Sequence, residues 1–223
     1  MGFIDRLRGR RHAESDTLPF LADVVPHQRG EAWPEQADMV ADGSDLGWYA
    51  PQDGDGDHFV GPDGVPALHL ISSRDTGGEL VLQLCEDTTG LLVSPGDSRL
   101  PRAGVYVSPL RGEAFHRLGC TAGDFRPGAP VRLAREPDNE FDPNAVAVYD
   151  ETGRHLAAYV SNQKARILAR LIDSGEPIEA VSIRGTGPGR PCEQVAVLAA
   201  SPGVLRRLLE PRPPNLPTPV RTA

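Results

Sequence analysis

No stretch of the 223-residue sequence approaches the roughly 18 consecutive apolar residues of a membrane-spanning helix, and no apolar segment follows its first charges. Neither an integral membrane segment nor a secretory signal is therefore expected. Cysteine is scarce: Cys85, Cys120 and Cys192 are odd in number, far apart and without a CxxC pair, so the sequence supports neither a disulfide framework nor a zinc site. All three are expected as small, buried or half-buried thiols in a cytoplasmic protein. The GxxxxGK[ST] phosphate loop and the HExxH metal motif are both missing, which removes the commonest routes to nucleotide hydrolysis and metalloprotease chemistry. A basic surplus is missing too. Residues 1–103 carry 8 arginines against 18 acids, residues 104–202 carry 11 basic groups against 12 acidic ones, and the segment from 203 carries 4 against 1. A protein that tracks long nucleic acid replaces counterions along a basic surface, so this charge balance leaves room only for a small, local site.

What the sequence has in quantity is punctuation. With 24 Gly and 22 Pro at 39% hydrophobic content, it favours short strands and many turns over long helices. MGFIDRLRGRR groups Phe3, Ile4 and Leu7 on one helical face among arginines, the pattern of a short amphipathic helix, but eleven residues are too few to be stable alone. Residues 1–66 are expected to form a flexible acidic region. Within it, DGDGDHF spaces Asp53, Asp55 and Asp57 like a calcium loop, yet His58 stands at the sixth position and Gly64 at the twelfth, where Gly and Glu are required, so a solvated acidic turn is the better reading.

From 67 to 103 the segments ALHLIS, ELVLQLC and LLVS alternate as a meander of short antiparallel strands that could pack on the second half of the chain, which GVYVS then opens. VRLARE, AVAVY, HLAAYV, IEAVSIRG and EQVAVLA read as further strands. A helix starting at Ser161 or Asn162 and running to about Ile172 places Ala165, Leu168, Ala169 and Ile172 on one face, with Gly175 as its left-handed stop. Ser201-Pro202 begins another short helix that Pro211 ends, and PRPPNLPTP reads as an extended, disordered tail. The expected fold class is β-rich α+β: a small barrel over residues 104–202 with one or two short helices, preceded by a strand-containing region and followed by a short helix and Pro-rich tail over 203–223.

The most informative stretch is REPDNEFDPNAVAVYD, residues 135–150. Asn139, Asp142 and Asn144 are residues that hydrogen-bond their own backbone in tight loops, Pro137 and Pro143 fix its dihedrals, and Phe141 stands alone among them. Arg135 and Glu136 read as a solvated or paired rim. The longer run GxxVRLxREPDNxFDPNAVAVYDxxGRxLAAYV, together with the helix after it, resembles the HIRAN domain over about residues 104–200, in the form of a stand-alone bacterial protein of actinobacterial type. That resemblance implies an oligonucleotide-binding-like (OB) barrel that grips the 3′ end of single-stranded DNA, with a role in DNA repair or processing. It implies Asn139, Phe141 and Asp142 as the family's Asn-x-aromatic-Asp motif, Phe141 stacking on a base and Asp142 accepting from a 3′-hydroxyl. It further implies Phe115 as a second aromatic on the first strand, Tyr159 as a site residue after the third strand of the motif, and Asn162 near a phosphate at the helix start. The sequence departs from the family pattern at Ala114, where DNA-binding members carry an arginine, and at Ala158, where a Gly is expected.

The leading expectation is a non-catalytic nucleic-acid-binding module with no cofactor and no metal. The first alternative is a protein-interaction module that keeps the barrel and meets a basic partner through its acidic N-terminal half. The second is a metal-assisted hydrolase acting on nucleic acid or nucleotide through Asp138, Asp142 and His116.

Overall fold

The computed structural model describes residues 47–49, 59–192 and 194–220. The expected N-terminal helix, the acidic region up to residue 46 and the Asp53, Asp55, Asp57 triad lie outside the described residues. The described residues form nine strands and three helices in chain order: β1 (Leu68–Arg74), β2 (Leu80–Glu86), β3 (Leu92–Val93), β4 (Val105–Arg111), α1 (Arg117–Ala122), β5 (Pro130–Arg135), β6 (Val146–Asp150), β7 (Leu156–Val160), α2 (Asn162–Asp173), β8 (Glu179–Arg184), β9 (Ala196–Ala200) and α3 (Pro202–Leu209). The first three strands form a small antiparallel sheet in the order β1-β2-β3, and the other six close into an antiparallel barrel in the order β4-β7-β6-β5-β8-β9, with β9 returning to β4. No helix among the described residues is long and apolar enough to cross a membrane.

The barrel closes because its strands bury both branched and small side chains. Val146, Val148, Ala157, Ala158, Leu168 and Val197 all lie in one core and are fully buried. Small residues such as Ala157 and Ala158 let a narrow barrel fill without overpacking. Helix α2 covers this core with Ala165, Leu168 and Ala169, spaced i, i+3 and i+4, and Ile172 packs at its edge. The helix ends as expected. Gly175 sits at φ 79°, its N–H bonds the carbonyl of Ile172, and the N–H of Glu176 bonds that of Leu171, which satisfies two carbonyls of the last turn. At the other end, Ser161 is the N-cap residue but caps nothing with its side chain: its hydroxyl exchanges a 2.9 Å hydrogen bond with that of Ser108 on β4.

The sheet and barrel share a second core. Leu68, Leu70, Leu82 and Leu84 of the sheet meet Val105, Val107, Val181 and Leu198 of the barrel, with Leu205 and Leu208 of α3 completing it. Truncating any fully buried leucine of this set to Ala would remove about 2–5 kcal/mol. Ion pairs brace the joint, from Arg184 Nη2 to Asp75 Oδ2 at 2.5 Å and from Arg190 Nη2 to Glu79 Oε1 at 3.3 Å.

Two expectations fail here. The Pro-rich segment after α3 is tied down: Val220 accepts from the N–H of Gly47 and donates to the carbonyl of Gly90, and Arg212 bonds the carbonyls of Pro217 and Asp87. Its prolines supply a preset extended backbone, and the hydrogen bonds come from elsewhere in the chain. The cysteines also differ from expectation, since Cys120 and Cys192 form a disulfide across 72 residues with Cα atoms 5.5 Å apart. Sequence distance concealed that contact. Only Cys85 remains a free thiol among the described cysteines; it is buried, and burial raises its pKa to about 11.

Candidate functional site

The 136–144 loop is built by the residue types that make turns. Asn139 Oδ1 accepts from the N–H of Phe141 at 3.0 Å and of Asp142 at 3.3 Å, while Asp142 Oδ1 accepts from the N–H of Asn144 at 2.8 Å. The N–H of Asn139 reaches the carbonyl of Glu136, and that of Ala145 reaches the carbonyl of Asp142. Such local bonds replace ladder pairing where β5 gives way to β6. Arg135 holds the base of the loop, donating to the carbonyls of Ala145 and Pro143 and forming a two-pronged pair with Asp173 of α2 at 3.0 and 3.1 Å. The consequence is a fixed loop whose apex ring has nothing to pack on: Phe141 is 88% exposed.

Phe115 is equally bare, at 89%. It does not lie on the first barrel strand as expected. That strand stops at Arg111, and Gly112, at φ 95°, turns the chain out into a short 3-10 turn over Glu113–Phe115 before α1.

A continuous set of contacts runs from His116, the residue after Phe115, to the backbone of Phe141. His116, next to Phe115, lays its ring against Tyr159 of β7, with centroids 5.5 Å apart and planes inclined at 60°. The Tyr159 hydroxyl donates to Glu136 Oε2 at 3.0 Å, and the same oxygen accepts from Asn139 Nδ2 at 3.1 Å. Burial first, then this hydrogen bond and the charge of Glu136, push the Tyr159 phenol up to about 12, so it stays protonated and donating near neutrality. Phe115, Asn139, Phe141, Asp142 and Tyr159 are thus linked through His116 and Glu136. Asn162 is not in this network; it is the exposed first residue of α2, two positions after Val160 ends β7.

Arg135 and Glu136, expected as a solvated or paired rim, are paired, Arg135 with Asp173 and Glu136 with Tyr159 and Asn139. One neighbour of the site was not expected from the sequence. Arg111, the last residue of β4, pairs in register with Tyr159 and is exposed. With Glu113, Arg184 and Gln194 it lines a cavity of about 330 Å³ beside the turn that carries Phe115. Arg111 therefore supplies a cation near the position where Ala114 lacks one. Of the residues expected for hydrolysis, Asp142 is engaged with Asn144, and no group of three or more His, Cys, Asp or Glu among the described residues is arranged to hold a metal ion.

No curated protein matches the chain. Among solved structures, the crystal structure of the HIRAN domain of human HLTF is similar at 20% identity over 48% of this chain and 83% of that one, with a TM-score of 0.35. A Lactobacillus plantarum protein crystal structure is similar at 21% identity over 42% of this chain and 91% of that one, also with a TM-score of 0.35. The solution structure of the HLTF HIRAN domain is similar at 19% identity over 48% and 86%, with a TM-score of 0.28. The family model of the HIRAN domain matches residues 105–192, the segment that makes up most of the closed barrel.

Proposed function

We propose that the barrel is a non-catalytic nucleic-acid-binding module that receives the 3′ end of single-stranded DNA, acting in the cytoplasm in DNA repair or processing. The observation that carries this reading is the exposure of Phe115 and Phe141, at 89% and 88%, on connections linked by the Tyr159–Glu136–Asn139 contacts. Solvent-facing rings on a rigid support are what base stacking needs, at about 1–3 kcal/mol per base. Asp142 keeps its second carboxylate oxygen for a terminal sugar hydroxyl, Arg111 meets a phosphate, and Asn162 stands at a helix start where backbone N–H groups favour anions. An end-gripping site needs few phosphate contacts, which suits a barrel of near-neutral charge.

The test is a titration of the full chain with labelled single strands ending in 3′-hydroxyl or 3′-phosphate. Tighter binding of the hydroxyl end supports the reading, and equal affinity or none removes it. Arg111→Ala should weaken all sequences alike and lower the slope of log affinity against log salt by about 1. A second reading, a barrel that binds a protein, draws on Leu118, 90% exposed on α1 close behind Phe115. Under it, affinity purification returns one dominant protein partner that survives nuclease, and Leu118→Ser abolishes the capture.

A further inference from the structure

We propose that the Cys120–Cys192 pair is a reversible thiol–disulfide switch that sets the affinity of the barrel mouth for its ligand. This rests on the nucleic-acid reading above. Neither sulfur lines the cavity, but each lies on a segment that leads to its lining. Cys120 lies in α1, the helix entered directly from the turn that bears Glu113 and Phe115. Cys192 lies in the connection between β8 and β9, just ahead of Gln194 and Val195, and those two residues line the cavity together with Arg111 and Glu113.

Both segments stand outside the barrel's strand ladder. The connection leaves β8 at Arg184 and rejoins the sheet at Ala196; the turn and α1 fill the span between β4 and β5. Few other bonds join the two segments among the described residues, chiefly those from the N–H of Gly189 to the carbonyl of Thr121 at 2.8 Å and from the N–H of Phe125 to the carbonyl of Thr186 at 3.0 Å. Val195 stays bonded to the N–H of Leu110 at 2.8 Å in either state, so oxidation fixes the 186–192 stretch against α1 and reduction lets that stretch part from it, loosening the approach to Gln194. Cys120 is fully buried and Cys192 half-buried, so an exchange partner reaches Cys192 first. The Cys192 thiolate attacks a low-molecular-weight disulfide and forms a mixed disulfide, expelling one thiolate. The Cys120 thiolate then attacks the Cys192 sulfur, the second thiolate leaves, and the two protons lost by the protein are taken up by the departing thiolates or by water. The protein is oxidised by two electrons and the small disulfide is reduced by two; a low-molecular-weight thiol in excess runs the same steps backwards.

The full chain is equilibrated in reduced or oxidised glutathione, its thiol state is read by alkylation and mass spectrometry, and each form is titrated with a labelled oligothymidine bearing a free 3′-hydroxyl. Pre-organisation of the mouth should make the oxidised form bind about five- to tenfold tighter. The Cys120→Ser, Cys192→Ser double variant should bind like the reduced form in either buffer, while Cys85→Ser should respond like the parent. Equal affinity of the two forms, with binding intact, overturns the switch, as does a reduced form that loses its fold. Absence of binding in both forms strikes the nucleic-acid reading instead. Hydrogen exchange of the amides in 186–192 then decides the switch: faster exchange on reduction supports it, and unchanged protection overturns it.

Discussion

Glu136 Oε2 accepts hydrogen bonds from both the Tyr159 hydroxyl, at 3.0 Å, and Asn139 Nδ2, at 3.1 Å. One carboxylate oxygen thereby joins a barrel strand to the loop whose apex is Phe141. Replacing it by Glu136→Gln keeps the shape but substitutes a neutral acceptor for a charged one, and charge-assisted bonds are about twice as strong. The expected result is a threefold to tenfold loss of single-strand affinity, about 0.7–1.4 kcal/mol, with a stability loss under about 1 kcal/mol. Titration and thermal unfolding of the same preparation separate the two. Unchanged affinity would show that the loop needs no anchor on β7.

Phe115→Ala and Phe141→Ala remove rings that touch little of their own protein. Surface substitutions of this sort change stability by about 0.5 kcal/mol or less, whereas a lost base stack costs about 1–3 kcal/mol. Each variant should therefore melt like the parent and bind a single strand about 5- to 150-fold more weakly. A variant that melts early, or binds normally, contradicts the assignment of that ring.

The barrel strands are legible in the sequence because their side chains alternate and their breaks carry turn residues. VRLARE and HLAAYV fall within a residue of β5 and β7, and Gly175 stops α2 where its neighbours in sequence say it should. The 136–144 loop is legible for the same local reason, as Asn139 and Asp142 bond backbone two or three residues away. What escapes depends on partners distant in sequence. Cys120 finds Cys192 only because the β8–β9 connection crosses α1, and Arg111 comes beside Tyr159 only because β4 pairs with β7. Phe115 is put on the first strand by the family resemblance alone; the sequence's own strand signal there, GVYVS, ends at Ser108, and Gly112 turns the chain out before Phe115.

The ordered C-terminal segment makes a stability prediction. Gly90 sits at φ 73°, and a Cβ placed on it would lie 2.6 Å from the carbonyl oxygen of Thr218, a backbone atom that cannot swing aside. Gly90→Ala therefore combines left-handed strain with a clash that must push out the strap bonded at Val220. A loss of at least about 1–2 kcal/mol is expected in denaturant unfolding. The amide of Val220, which donates to the carbonyl of Gly90 in the parent, should also exchange its hydrogen sooner. Parent-like stability would mean that the strap contributes nothing.

Among the described residues, three carboxylates should make this protein less stable in acid. At Asp97, the side-chain hydrogen bond from Arg99 lowers the pKa against an opposing effect of burial. At Glu86 and Asp150, burial works against the charge, but bonds from Thr89 and Thr88 in one case and from His155 and Thr152 in the other outweigh it, so both are also lowered. In the unfolded chain such groups titrate near 3.9–4.3. The unfolded state thus takes up protons first as pH falls, and stability rises with pH through that window. Their contribution is complete above about pH 5 and disappears progressively as pH drops from about 4.3 through the folded values. Melting temperature should be flat from pH 7 to about 5 and then decline with net proton uptake on unfolding. Asp150→Asn keeps the side-chain shape but cannot ionise, so it should melt lower than the parent at pH 7 and lose less on going to pH 3. An acid slope identical to the parent's would show that Asp150 takes no part.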